Sequence, residues 1–153
     1  MKKTFQISAC AVLFMLAAVS LSYAHCEIPC GIYDDPARIE LMREHITTIE
    51  RSMDQIRNIS GQMKVSDVEH QNQLVRWITN KEDHANKLQH IVSQYFMTQR
   101  VSPDDKNRKA YMEKITVLHQ ILVQAMKCKQ TVDLDHVKNL RSLVDRFEAL
   151  YFK

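Results

Sequence analysis

The chain has 153 residues, of which 21 are Lys or Arg and 18 are Asp or Glu. This near balance provides no basic surplus of the kind that nucleic-acid binding requires, and the chain has no block of like charge typical of a disordered tail. Its length suits one domain with a hydrophobic core.

The first 24 residues have the pattern of a cleaved export signal. A basic start precedes an apolar run over residues 9–21, and residues 22–24 place small side chains where signal peptidase recognises them. The apolar run is too short to span a bilayer comfortably. We therefore expect signal peptidase to remove residues 1–24, so that the mature chain begins at His25, is periplasmic or secreted, and has no membrane partner. The two lysines of the leader leave with it, which gives 19 basic against 18 acidic residues.

Glycine and proline indicate an all-α fold, because the two glycines and three prolines lie outside the apolar-periodic segments. Spacings of three and four predict helix one from an N-cap at Asp35 to about Gly61, and helix two from about residue 66 to Arg100. A third helix is predicted to start within residues 102–105 and a fourth within 131–133. Short connections favour an antiparallel up-down-up-down four-helix bundle over residues 36–153. The apolar face predicted for helix two comprises Val75, Ile78, Ala85, Leu88, Val92 and Tyr95.

The mature N-terminus concentrates metal donors in residues 25–35, which we call the hook. His25 and Cys26 together offer the α-amine, a backbone amide nitrogen, a thiolate and an imidazole. Cys30 supplies a second thiolate once the chain reverses, and the proline and glycine on either side of it permit that reversal. The hook is therefore a candidate metal site.

Two nitrogen and two sulfur donors in a plane favour nickel(II) or copper(II) over tetrahedral zinc, although thiolates also bind zinc and copper(I) well. Thiolates and an ionised amide donate enough charge to bring a higher nickel oxidation state within reach. Such a site can transfer one electron.

The pattern His-Cys-x-x-Pro-Cys-Gly-x-Tyr, followed by Asp-Pro and an all-α chain, resembles the nickel superoxide dismutase family. The resemblance covers the mature chain, and its specificity lies in residues 25–33. It implies conversion of superoxide to dioxygen and hydrogen peroxide by Ni(III)/Ni(II) cycling, with one nickel ion per subunit of a homohexamer.

The resemblance also implies roles for individual residues. The metal ligands would be His25, Cys26 and Cys30, with the imidazole axial in the oxidised state. Tyr33 would screen the open face of the metal, Glu40 would orient the imidazole, and Tyr95 would border the site. A cis peptide bond is expected at Ile28–Pro29. The family also has an arginine that supports the metal ligands, and its candidate counterparts in this chain are Arg76 and Lys81.

Two other interpretations remain open at this point. The chain could be an exported nickel or copper carrier that uses the same hook without turnover. It could also be a helical interaction protein in which Cys26 and Cys30 form a disulfide. Cys128 is expected to be a lone, partly buried thiol. Six further histidines are expected to be surface or capping residues, namely His45, His70, His84, His90, His119 and His136.

Overall fold

A computed structural model describes residues 31–62, 68–103 and 106–153, and these residues form four α-helices and no strand. They are α1 (Asp35–Gln62), α2 (Val68–His90), α3 (Arg108–Gln130) and α4 (Leu134–Tyr151), and a π-helical segment (Ile91–Arg100) continues α2. The all-α prediction is therefore confirmed. The predicted leader and residues 25–30 of the hook, with the Ile28–Pro29 bond, lie outside the described residues.

The four helices belong to one compact unit, Asp34–Lys153, and Met1–Tyr33 form another. Helix α1 packs against α2 and α4, and α3 packs against the same two helices. Helices α1 and α2 are antiparallel, as two contacts between them show. Asn80 donates to Ser52 (3.0 Å), whereas His84, later in α2, contacts His45, earlier in α1. None of the described helices combines the length and hydropathy that crossing a bilayer demands.

The core is formed by one apolar stripe from each helix, as the spacing predicts. Its largest fully buried side chains are Phe96, Phe147, Ile39, Met42, Ile46, Ile49, Met53, Leu88, Leu118, Ile121, Leu140 and Val92. Cys128 is completely buried rather than partly buried, and this burial raises the pKa of its thiol to about 11. The thiol is therefore packed as a small apolar side chain.

The first half of α2 departs from the prediction. Val75 and Ile78 expose 61% and 40% of their surface, although both belong to the predicted buried face. The reason is the length of the neighbouring helix, since α3 ends at Gln130, near Lys81 of α2. The turns of α2 before Lys81 lie beyond that end, so no third helix among the described residues covers their outer face.

Lys81 is buried, and its ammonium group donates hydrogen bonds to the backbone carbonyls of Lys129 and Thr131 (3.1 Å to Thr131). These are carbonyls at the C-terminal end of α3, which an isolated helix leaves without partners. Burial lowers the pKa of Lys81, with Glu82 at 3.7 Å opposing that shift. Lys81 thus caps α3 from its position on α2.

Replacing Lys81 by Met is expected to lower the free energy of unfolding by about 1 to 3 kcal/mol, because buried carbonyls lose their donor. Urea unfolding followed by circular dichroism measures this loss. Lys109→Met, on the exposed face of α3, is the matched control and should change stability by less than about 0.5 kcal/mol. Equal effects of the two substitutions would contradict the capping role.

Candidate active site

The first turn of α1 follows directly on Tyr33 and is capped by Asp34. Its Oδ1 accepts from the backbone N–H of Ala37 (3.1 Å), and its carbonyl accepts from the N–H of Arg38 (3.2 Å). The predicted N-cap at Asp35 is therefore wrong by one residue. Asp35 is the first helical residue instead, and its carboxylate has other partners.

Both carboxylate oxygens of Asp35 accept hydrogen bonds from elsewhere in the bundle. Oδ1 accepts from Tyr95 Oη (2.6 Å) and Arg100 Nε (2.8 Å), and Oδ2 accepts from Arg100 Nη2 (2.8 Å) and Tyr151 Oη (2.8 Å). We call Asp35, Tyr95, Arg100 and Tyr151 the Asp35 cluster. The bidentate guanidinium pair is the strongest form of this contact. The cluster ties the start of α1 to the π-helical segment and to α4.

The π-helical winding explains how one carboxylate reaches both Tyr95 and Arg100. Residues five apart are hydrogen-bonded in this segment, as shown by Val101 N–H to Phe96 C=O at 2.8 Å. Tyr95 and Arg100 are also five residues apart, so they share a face. In an α-helix their directions would differ by roughly 140°. The π-helical segment therefore positions Tyr95 together with the cation that anchors Asp35.

The cluster fixes the ionisation of its members. Hydrogen bonds from Arg100, with further ones from Tyr95 and Tyr151, lower the pKa of Asp35 to about 2 although burial opposes the shift. Burial and the hydrogen bond to Asp35 raise the pKa of both tyrosines to about 12. At neutral pH the carboxylate is charged and both phenols keep their protons.

The ionisation of Asp35 predicts how stability changes in acid. Its pKa is lowered from 3.8 to about 2 on folding, so its contribution of about 2 kcal/mol is present above pH 3.8 and is lost as the pH falls to about 2. Urea unfolding of the metal-free wild type and of Asp35→Asn should therefore give a stability difference that shrinks between pH 5 and pH 2. A difference that is constant over this range would contradict the assignment.

Tyr95 is fixed by contacts with both its ring and its hydroxyl group. It is buried, its ring meets Phe96 edge to face (5.0 Å between centroids), and the Arg38 guanidinium lies 5.2 Å from the ring centre. Its hydroxyl donates a hydrogen bond to Asp35 in the first turn of α1. The predicted site residue Tyr95 thus lies at the end of the bundle where the hook joins it in sequence.

Glu40 lies on α1, five residues after Asp35, and exposes 68% of its side chain. Its Oε1 accepts from Arg43 Nη1 (2.6 Å), and the same guanidinium contacts Asp145 (2.8 Å) and Glu148 (2.6 Å) of α4. Together these ion pairs raise the pKa of Arg43 above its ordinary range. Glu40 is therefore a solvent-facing carboxylate at the same end of α1 as the Asp35 cluster.

The remaining predicted site residues belong to the N-terminal unit. Tyr33 is 39% exposed and immediately precedes the capping residue Asp34 in sequence. The predicted ligands His25, Cys26 and Cys30 lie outside the described residues. The donor atoms of these three residues can still be compared with the ligands that nickel prefers, and thiolate and nitrogen donors suit this metal. The residues of the hook therefore fit that metal.

The described residues form an all-helical domain, and a His-Cys and Pro-Cys-Gly segment precedes it in sequence, a combination that indicates a helical metalloprotein. Residues 20–153 match the family model of nickel-containing superoxide dismutase, and the chain belongs to this family. It is therefore an oxidoreductase that acts on superoxide, and the family's description specifies nickel. Comparisons with curated proteins and with solved structures found no match. The family and the enzyme class predicted from residues 25–33 are confirmed.

Proposed function

We propose that the mature chain dismutates superoxide at the hook, where His25, Cys26 and Cys30 hold one nickel ion per subunit. The observation that carries this proposal is the family match, because its range of residues 20–153 includes every proposed ligand. The ligands would be the α-amine and imidazole of His25, the amide nitrogen of Cys26 and the two thiolates. Bound nickel supplies one-electron chemistry between Ni(III) and Ni(II), producing dioxygen from one superoxide and hydrogen peroxide from another.

The two tyrosines of the proposed site have different tasks. Tyr95 donates a hydrogen bond to Asp35, which holds its phenol in place. Its pKa is raised to about 12, so the phenol is a poor proton donor. Tyr33 is partly exposed and can exchange protons with water. Peroxide formation consumes two protons, and we assign their delivery to Tyr33 and water. Tyr95 borders the site as a fixed hydrogen-bonding group.

Glu40 is proposed to orient the His25 imidazole, which is a common role for a carboxylate near a metal ligand. Its contact with Arg43 is compatible with that role, because an ionised carboxylate accepts several hydrogen bonds through its two oxygens. Arg43 would then hold the carboxylate while the imidazole N–H is added as a further donor. Glu40 would act through the ligand rather than on superoxide.

Maturation and metal binding are coupled in this proposal. Signal peptidase would expose the α-amine of His25 as the chain is exported to the periplasm or beyond. A homohexamer is proposed from the resemblance, and exposed apolar side chains could supply its contacts, among them Val68, Val75, Ile78, Met112, Met126 and Phe152. Light scattering of the mature protein tests this assembly, and a monomer would reject it.

The decisive experiment compares superoxide decay catalysed by the mature chain, starting at His25, in its nickel, copper, zinc and metal-free forms. We expect activity with nickel alone. Tight nickel or copper binding without activity in any form would instead identify an exported metal carrier. Free-thiol titration of Cys26 and Cys30 in the metal-free protein separates both outcomes from a disulfide-linked interaction protein.

A further inference from the structure

Two histidines face each other between α1 and α2 within the bundle. His45 of α1 is 8% exposed, and its Nδ1 lies 3.0 Å from Nδ1 of His84 on α2. The two rings are nearly perpendicular, at 78°, with centroids 5.0 Å apart. His45 is thus buried, contrary to the expectation that it is a surface or capping residue, whereas His84 is half-buried.

The separation of the two nitrogens suits a shared metal ion as well as a hydrogen bond. Imidazole nitrogens bind zinc and similar ions at about 2.0 to 2.1 Å. With these bond lengths, two nitrogens stand roughly 2.9 Å apart at the 90° angle of a square-planar or octahedral ion and roughly 3.3 Å apart at the tetrahedral angle of zinc. The observed 3.0 Å lies within this range. A metal ion could therefore replace the proton that the two nitrogens share, without separation of α1 from α2.

The ionisation of the pair favours metal binding at neutral pH. Burial, followed by the charges of His84 and Lys87, lowers the pKa of His45 to about 4. Burial is also the main cause that lowers the pKa of His84. Neutral imidazole is the form that binds metals. Both shifts favour the neutral form.

An open cavity of about 500 Å³ reaches His45, one member of the pair. Its lining includes His45, Asn86, Lys87 and His90. Within the described part of the chain, no group of three His, Cys, Asp or Glu side chains is arranged to hold a metal. The pair therefore supplies two protein ligands, and the nearby ammonium of Lys87 weakens the attraction for a cation.

We propose that His45 and His84 form a second metal site, which binds a divalent transition ion of the nickel, copper and zinc class through their Nδ1 atoms. The remaining coordination positions are filled by water or by a small exogenous ligand. This site is independent of the hook, so its occupancy does not depend on whether the hook performs dismutation.

The test is zinc titration of the full mature chain, followed by ¹⁵N NMR of the imidazole nitrogens. Zinc is diamagnetic, and His45→Gln and His84→Gln assign the two signals, so binding at the hook does not obscure the result. We expect the Nδ1 resonances of both histidines to shift together. Unshifted resonances at saturating zinc would overturn the proposal.

Equilibrium dialysis with nickel and with zinc provides the second readout. His84→Gln should bind one ion fewer per chain than the wild type, whereas His119→Gln, an exposed histidine of α3, should bind the same number. Lys87→Ala should tighten binding at the pair about threefold, because a nearby positive charge is removed. Equal ion content in His84→Gln and wild type, with matching helical circular dichroism, would also reject the site.

Discussion

A single extra residue in front of His25 is expected to abolish dismutation by the nickel-treated protein. The added peptide bond converts the α-amine into an amide nitrogen, which binds a metal only after it loses its proton. The amine donor and the chelate ring that it closes with Cys26 are therefore lost. Changes one shell beyond a metal's ligands already cost 10- to 100-fold in affinity or activity, so we expect a loss of at least about 100-fold. Stopped-flow decay of superoxide, normalised to nickel content, measures it.

Two comparisons show which donor is responsible. The same residue added after Lys153 should leave activity unchanged, which controls for the extension itself. His25→Gln keeps the amine and both thiolates and removes the imidazole, so the protein should retain nickel but lose most of its turnover. Full activity of the N-terminally extended chain would exclude the α-amine as a ligand, and full activity of His25→Gln would exclude the imidazole as a ligand that turnover needs.

The helices were predictable because their signals are local. Spacings of three and four marked the buried stripes, and the predicted start of α4 is confirmed by Asp133, whose side chain accepts from Asp135 N–H at 3.0 Å. The prediction for the start of α3 was less exact. It begins at Arg108 with Asn107 as the cap, later than the predicted 102–105, because Asn is as good an N-cap as Asp.

The Asp35 cluster was beyond prediction because its members come from three separate elements. Tyr95 and Tyr151 are 60 and 116 residues from Asp35 in sequence, and nothing local links them. Arg100 shares a face with Tyr95 only in the π-helical winding, which a spacing of three and four conceals. An aspartate before a proline also fits the pattern of an N-cap, which predicts a local partner for its carboxylate rather than distant ones.

The burial of His45 has a clearer signal in the sequence than the Asp35 cluster does. His45 is three residues after Met42 and four before Ile49, so it belongs to the apolar stripe of α1. Lys81 similarly precedes Ala85 by four residues on the buried stripe of α2. A polar residue on such a stripe must be buried with a partner. The sequence can therefore show that these groups are buried, whereas their partners, His84 and the end of α3, depend on how the helices are packed.

Asp35→Asn is expected to cause a large loss of stability. The substitution removes the charge that pairs with Arg100 and leaves one accepting oxygen where there were two. Charge-assisted hydrogen bonds are each worth about 1.5 to 3 kcal/mol, so we expect the free energy of unfolding at pH 7 to fall by about 3 kcal/mol. Tyr151→Phe, which removes one hydroxyl donor, should cost about 1 kcal/mol.

Asp34→Asn is the matched control, because it makes the same chemical change one residue earlier. Asn caps a helix as well as Asp does, so this variant should stay within about 0.5 kcal/mol of wild type. If the Asp35 cluster fixes the first turn of α1 for the hook that precedes it, dismutation by the nickel-loaded protein should fall in Asp35→Asn and not in Asp34→Asn. If Asp35→Asn loses stability but keeps its activity, the Asp35 cluster stabilises the bundle and has no effect on the hook. Equal stability of the two variants would contradict the hydrogen-bond network of the Asp35 cluster.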